Sequence, residues 1–66
     1  MTAPRPPIAF DRVEMTERDG RVLTLDPDGF TELGLAVRVR CILEKRLRFF
    51  YGSREVPMKA ALASLQ

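Results

Sequence analysis

The sequence predicts a small α+β domain: an N-terminal β-hairpin packed on one long amphipathic helix, followed by a short C-terminal helix. Three observations lead to this prediction. Alternating apolar residues flank an Asp-Gly turn within residues 10–25, apolar residues recur at helical spacing over residues 35–51, and a proline opens a second helical stripe over residues 57–65. The alternative is a mostly β fold, with two hairpins and a C-terminal helix.

The chain is small enough to form only one domain. Its 66 residues are 45% hydrophobic and 30% charged, which is a globular composition. A domain of this size buries only about 60% of the surface of its unfolded chain, so its core is marginal without a disulfide, a metal or a partner subunit. We therefore expect a homo-oligomer or a subunit of a larger assembly.

Residues 1–7 are expected to be a proline-rich tail, and residues 8–66 the domain. Three prolines within residues 4–7 disfavour both helix and sheet pairing. A signal peptide is not expected, because the first ten residues lack a basic start followed by an apolar core. The single cysteine, Cys41, cannot form an internal disulfide and fits a reducing compartment, so we expect a cytoplasmic protein. A membrane span is not expected, because no apolar run approaches the roughly 20 residues that cross a bilayer.

The first element is a hairpin whose register follows from its side chains. A two-residue Asp-Gly loop would divide the apolar residues between both faces. A three-residue loop, with Gly20 in the left-handed conformation, places four of them on one face. We expect that face to cover the core, with Val13 paired to Leu25 and Met15 paired to Leu23.

Asp26-Pro27-Asp28-Gly29 predicts either a helix start or a turn. An aspartate before proline can accept the free N–H groups of a first helical turn, and proline suits the first helical position. The same residues also suit a β-turn. A calcium loop is excluded, because placing Gly29 at position six of an EF-hand puts Leu35 at position twelve, where a glutamate belongs.

Residues 35–51 decide between the two fold hypotheses. At 100° per residue most of their apolar side chains fall in an arc of about 160°, with Val37 and Cys41 out of place on the polar side. As two strands, the segment would need a loop at residues 44–46, which contain no Gly, Asn, Asp or Pro to adopt a positive φ. We therefore predict one helix that ends at Gly52.

The last predicted element is a helix over residues 57–65. Pro57 suits its first turn, and four apolar residues fall on one stripe. Nine residues do not form a stable helix alone, so this helix must dock on the rest of the domain or on a neighbouring molecule. The stripe consists of Met58, Ala61, Leu62 and Leu65.

The sequence offers no catalytic, cofactor-binding or metal-binding motif. It contains no histidine, which removes the usual general base at neutral pH and the commonest metal ligand. Cys41 has no histidine to activate it, so we interpret it as a packed structural thiol. We therefore expect a protein that is not an enzyme and that uses no cofactor.

The first functional hypothesis is a small protein-interaction module, acting as a homo-oligomer, an adaptor or a subunit of a larger assembly. The apolar arc of residues 35–51 is larger than the hairpin can cover, and aromatic residues dominate the energetics of interfaces. The partner would be another protein or a second copy of the chain. We expect the interface at Phe49, Phe50, Tyr51 and Leu62.

The alternative hypothesis is a nucleic-acid-binding regulator. Residues 1–34 carry four basic and seven acidic side chains, whereas residues 35–66 carry seven basic and two acidic ones. Phosphate contacts from a basic helix face would give salt-dependent binding. A membrane surface is a third and weaker hypothesis, because anionic lipid also attracts a basic amphipathic helix. The expected anion contacts are Arg38, Lys45, Arg48 and Arg54.

Two short segments resemble known families. Residues 13–28, with Met15-Thr16, Asp19-Gly20 and Leu25-Asp26-Pro27-Asp28, are similar to the opening hairpin of small flagellar proteins of the FlbD type. If the central segment is β, residues 37–40 and the C-terminal helix resemble carbon-storage regulators, which bind RNA as intertwined dimers. Each resemblance covers a fraction of the chain, so no family is assigned and no residue role is transferred.

Overall fold

The computed structural model describes residues 8–65, and they form one four-stranded sheet with three short helices. The predicted α+β class is confirmed. The predicted proline-rich tail, residues 1–7, lies outside the described residues. In chain order the elements are β1 (Arg12–Thr16), β2 (Val22–Leu25), α1 (Pro27–Glu32), α2 (Leu35–Leu43), β3 (Leu47–Tyr51), β4 (Arg54–Val56) and α3 (Met58–Ala63).

The sheet is antiparallel throughout, with the strand order β2-β1-β3-β4. It consists of two sequential hairpins, joined where β1 pairs with β3. In that central pairing Val13 lies opposite Phe49 and Met15 lies opposite Leu47. All four of these side chains are buried, so the seam between the two hairpins is also the centre of the core.

The predicted register of the first hairpin is confirmed. Val13 pairs with Leu25 and Met15 with Leu23, across a loop in which Gly20 has φ +93°. The Glu17 N–H closes the loop by donating to the Arg21 carbonyl at 2.7 Å. The prediction that all four apolar residues are buried holds only in part. Leu23 is 40% exposed, because it lies in an edge strand and α1 begins beside the other end of that strand.

Asp26 begins α1, as the Asp-Pro pair predicted. Its carboxylate oxygen Oδ1 accepts a hydrogen bond from the Gly29 N–H at 2.7 Å, and Pro27 occupies the first helical position. The helix is only six residues long, and Phe30 is its one fully buried residue. The Asp26 cap therefore stabilises a short helix whose main contribution to the core is the Phe30 ring.

The prediction of one helix over residues 35–51 is wrong. The helix α2 ends at Leu43, and residues 47–51 form the central strand β3. Two hydrogen bonds close the helix in a Schellman arrangement: the Lys45 N–H donates to Ile42 O at 3.1 Å, and the Arg46 N–H donates to Cys41 O at 3.0 Å. Lys45 occupies the position that glycine usually takes, with φ +56°.

The reason for the break is the apolar content of residues 47–51. As a strand, this segment alternates and places Leu47 and Phe49 in the core, where they are 7% and 1% exposed. It also supplies a hydrogen-bonding partner to the second edge of β1, which would otherwise leave backbone groups unpaired. These gains outweigh the cost of about 1–2 kcal/mol for a left-handed lysine.

The C-terminal helix forms as predicted, but it is shorter, Met58–Ala63, with Pro57 as its N-cap. Its predicted apolar stripe faces inward: Ala61 is fully buried, and Met58, Leu62 and Leu65 pack against the core. The Ser64 hydroxyl accepts a hydrogen bond from the Ala9 N–H at 3.0 Å. This bond ties the two ends of the described chain together.

Three phenylalanines from three separate segments meet at the centre of the core. The rings of Phe10, Phe30 and Phe49 pack edge to face, with centroid distances of 4.9 Å from Phe10 to Phe49 and 5.6 Å from Phe30 to Phe49. Each ring is at most 2% exposed. Such pairs contribute about 0.5–1.5 kcal/mol beyond the apolar area that they bury.

The first prediction concerns Phe49. Replacing Phe49 with Leu should lower the free energy of unfolding by about 1–2 kcal/mol, because it opens space beside two aromatic rings. The matched control is Phe50→Leu, one residue away on the half-exposed face of β3, which should cost less than about 1 kcal/mol. Urea unfolding measures both, and equal losses would contradict the assignment of residues 47–51 to a strand.

The second prediction concerns the end of α2. Lys45→Gly should raise the free energy of unfolding by up to about 1 kcal/mol, because glycine adopts a positive φ without steric strain. Ala60→Gly, at an exposed position inside α3, should instead lower it by about 1 kcal/mol. If both substitutions destabilise the protein to the same extent in urea unfolding, Lys45 is not in the left-handed conformation.

Candidate functional site

Helix α2 is attached to the domain by one narrow side. Cys41 is its only fully buried residue, and its thiol lies 3.4 Å from the Met15 sulfur. Arg38 and Ile42, which lie beside Cys41 on the helix surface, are half-buried. The other six residues of the helix are exposed.

The exposed side of α2 is apolar. Leu35 is 69% exposed, Val39 44% and Leu43 76%, and their spacing of four residues aligns them on one face about 12 Å long. Helices on the surface of globular proteins usually turn such a face towards the core. This face lies on the side away from Cys41. We call it the α2 stripe, and its residues are Leu35, Ala36, Val39 and Leu43.

An apolar groove borders the α2 stripe on the side of α3. It has a volume of about 250 Å³. Leu35 and Val39 belong both to the stripe and to this groove, so the two form one continuous surface. The only charged side chain in its wall is Arg38. We call this recess the α2–α3 groove, and it is lined by Phe30, Leu35, Arg38, Val39, Ile42, Leu62 and Leu65.

The charges around this surface are predominantly positive. Among residues 8–65, no carboxylate forms an ion pair with Arg38, Arg40 or Lys45. The one acidic residue beside the stripe, Glu44, is already paired: its carboxylate lies 3.2 Å from an Arg18 nitrogen and 2.9 Å from Arg46 Nε. The Nε atom of Arg38 is buried and has no hydrogen-bond partner within the described chain.

The four expected interface residues are not brought together. Phe49 is 1% exposed and belongs to the core of the domain, so it is not available to a partner. Phe50 lies on the opposite face of the sheet, with the Arg12 and Arg48 guanidinium groups 4.6 and 5.6 Å from its ring centroid. Tyr51 is 58% exposed at the end of β3. Leu62 is the one residue of the four that lines the α2–α3 groove.

The four expected anion contacts are also dispersed, because the single helix that would align them does not form. Arg38 lies on α2, Lys45 in the turn after it, and Arg54 in the edge strand β4. Arg48 lies on β3, where it forms an ion pair with Glu55 at 2.9 Å. The hydrogen bond from Arg48 holds the pKa of the exposed Glu55 carboxyl below its ordinary value.

The sequence predicted an apolar arc larger than the hairpin can cover, but the interface was expected at Phe49, Phe50, Tyr51 and Leu62 and not at the α2 stripe. The signal that pointed the other way was Cys41, an apolar residue on the side of the helix that was interpreted as polar. In the structure Cys41 marks the buried side of α2, and the arc of leucines and valines marks the exposed side. A helix with apolar residues on two sides indicates two contact surfaces.

The described residues contain neither a metal-binding cluster nor a membrane-spanning helix. No group of three Cys, Asp or Glu side chains lies close enough to hold a metal ion within residues 8–65. The helices of that same region are all too short or too polar to cross a bilayer, and the longest has nine residues.

No protein-family model, curated protein or solved structure matches this chain. The α2 stripe and the α2–α3 groove are therefore the features of this chain that bear on its function. The resemblance to carbon-storage regulators has lost its basis, because it required residues 37–40 to form a strand and they lie in α2.

The third prediction tests which side of α2 is buried. Leu43→Gln should change the free energy of unfolding by less than about 0.5 kcal/mol, because Leu43 is exposed and glutamine is a good helix former. Ile42→Gln, at the adjacent residue that packs against the core, should cost about 1–3 kcal/mol. Urea unfolding of the two variants compares them directly. A larger loss for Leu43→Gln would show that the stripe is the buried side.

Proposed function

We propose that this protein is a small, non-enzymatic protein-interaction module that binds another protein through the α2 stripe and the α2–α3 groove. It acts as an adaptor, as a subunit of a larger assembly or as an oligomer. The observation that carries the proposal is the apolar face of α2, which is directed away from the domain's own core.

The arrangement of the exposed apolar residues supports a docking surface. Single exposed leucines and valines are common on protein surfaces and need no explanation. Here three of them share one helix face, and that face continues into a groove with six apolar lining residues. A contiguous apolar surface bordered by charged residues is typical of a protein–protein contact.

The stability of the domain supports the same proposal. The nine residues of α2 are too few for a stable isolated helix, and their contribution to the fully buried core is Cys41 alone. A partner that covers the stripe would bury three large aliphatic side chains, each contributing about 1.5–3 kcal/mol if its burial were complete. Binding would therefore stabilise the least supported element of the fold.

Catalysis is not part of the proposal. The sequence contains no histidine, and Cys41 is buried. A buried thiol without an activating base acts as a small apolar side chain. One reduced, buried cysteine is compatible with the cytoplasmic location that we propose for the protein.

Protein binding is favoured over nucleic-acid binding by the placement of the basic residues. A phosphate-binding surface needs several unpaired cations on one face. Arg48 is engaged by Glu55, and Arg54 lies on a different element from Arg38. The unpaired cations around α2 instead border an apolar surface, and such a surface suits a protein partner.

The proposal is tested by site-specific photo-crosslinking in cells that express the protein. A photoreactive phenylalanine analogue at position 43 should give one discrete adduct with a protein, because Leu43 is the most exposed member of the stripe. The matched control carries the same analogue at position 24, on the open face of β2, and should not give that adduct.

Sedimentation velocity at several concentrations determines whether the adduct partner is a second copy. The Leu43→Gln variant should retain the fold but should no longer form the complex with the partner that is crosslinked at position 43. If position 43 gives no adduct, or gives the same adducts as position 24, and the protein sediments as a monomer throughout, the proposed function is wrong.

A further inference from the structure

We infer that the partner presents an acidic amphipathic helix, which lies along α2 with its apolar side in the α2–α3 groove and its carboxylates beside Arg38 and Arg40. This inference depends on the proposed function, because it names the class of partner that the same surface binds.

The shape of the surface supports a helical ligand. The α2 stripe is about 12 Å long, which matches two turns of a helix. The α2–α3 groove runs beside it, with walls from α2 on one side and from Leu62 and Leu65 on the other. A partner helix with apolar residues at positions i, i+3, i+4 and i+7 fills such a groove, as in other complexes of a helix with a hydrophobic groove.

The charges select an acidic partner. Arg38 lines the groove and forms no ion pair with a carboxylate of the described chain. Arg40 borders the other side of the stripe and has no ion pair in that region. The two arginines therefore flank the apolar residues, and carboxylates at the flanks of the partner's apolar side would neutralise both.

A second copy of the chain fits this surface less well. In an antiparallel pair of α2 helices related by a two-fold axis, each flank faces the same flank of the other helix. Arg38 and Arg40 would then approach their own equivalents without a free carboxylate between them, since Glu44 is already paired with Arg18 and Arg46. Like charges across an interface oppose association.

The chain itself offers no suitable acidic helix within residues 8–65. The only carboxylates within its helices, Asp28 and Glu32, lie on α1, which has six residues and directs its one large apolar side chain, Phe30, into the core. Residues 1–7 contain Arg5 and no acidic residue. We therefore assign the groove to a different protein.

The inference is tested with a display library of helical peptides. Four leucines at positions i, i+3, i+4 and i+7 are fixed, and the flanking positions vary equally among Glu, Gln and Lys. At the flanking positions of the selected peptides, Glu should be at least about tenfold more frequent than Lys, because the positively charged Arg38 and Arg40 flank the apolar surface. Binding of the selected peptide should weaken as salt rises.

Matched variants of the protein locate the binding site. Arg38→Gln should lower the affinity for the selected acidic peptide by about fivefold or more. Arg54→Gln, on β4 and outside the groove, should leave that affinity unchanged. Val39→Asp should abolish binding of the peptide. Leu43→Gln, which retains the fold, should also weaken this binding.

Four results would overturn the inference, and they differ in what they say of the proposed function. Selection of lysine, or of no charge, with binding still lost in Val39→Asp would leave the proposed docking surface intact. A concentration-dependent dimer that Val39→Asp dissociates would do the same and identify a second copy as the occupant. Binding to phosphatidylserine-containing vesicles that depends on Val39 would contradict both proposals. A library without any binder would overturn the inference, and the crosslink at position 43 would then decide the proposed function alone.

Discussion

The contact between Phe49 and the two other core phenylalanines determines the form of this domain. Phe49 pairs with Val13 across the central strands and packs at 4.9 Å from Phe10 and 5.6 Å from Phe30. To bury this ring, residues 47–51 must be extended, so the preceding helix has to end at Leu43. The strand thus provides the core, joins the two hairpins and limits the length of α2. These consequences follow from one apolar side chain in a chain with few others of its size.

The shortened helix explains why an apolar surface is left uncovered by residues 8–65. With Cys41 as its anchor, α2 presents the α2 stripe to solvent and forms one wall of the α2–α3 groove. The same helix also carries Arg38 and Arg40, whose charges no described carboxylate neutralises. A small domain has limited area for both folding and recognition. Here the sheet and the phenylalanines form the core, and the exposed face of α2 is the surface that we propose for recognition.

The elements that could be predicted from the sequence are those with local signals. The hairpin register follows from the alternation of Val13 and Met15 around Gly20, the start of α1 from Asp26-Pro27, and the stripe of α3 from helical spacing. The break after Leu43 could not be predicted in this way, because its cause is distant: β1 has a second edge, and Phe49 completes a cluster of rings from three segments. The positive φ of Lys45 could not be predicted either, because lysine is not a residue type that favours this conformation. In the candidate site, Leu62 and Arg38 were predicted as contact residues, whereas the exposed part of the apolar arc was expected at the aromatic residues 49–51 and not at the α2 stripe.

The most direct measurement is an NMR experiment on the free protein, which reports the strand and the exposed helix face together. We expect cross-strand nuclear Overhauser contacts between Val13 and Phe49, and strong relaxation of the Leu35 and Leu43 methyl groups by a soluble paramagnetic agent. Cys41 and Phe49 should be protected from the same agent. Helical contacts that continue from Leu43 to Tyr51, or Leu35 and Leu43 methyl groups protected in the monomer, would show that folding of the core does not leave this face of α2 exposed.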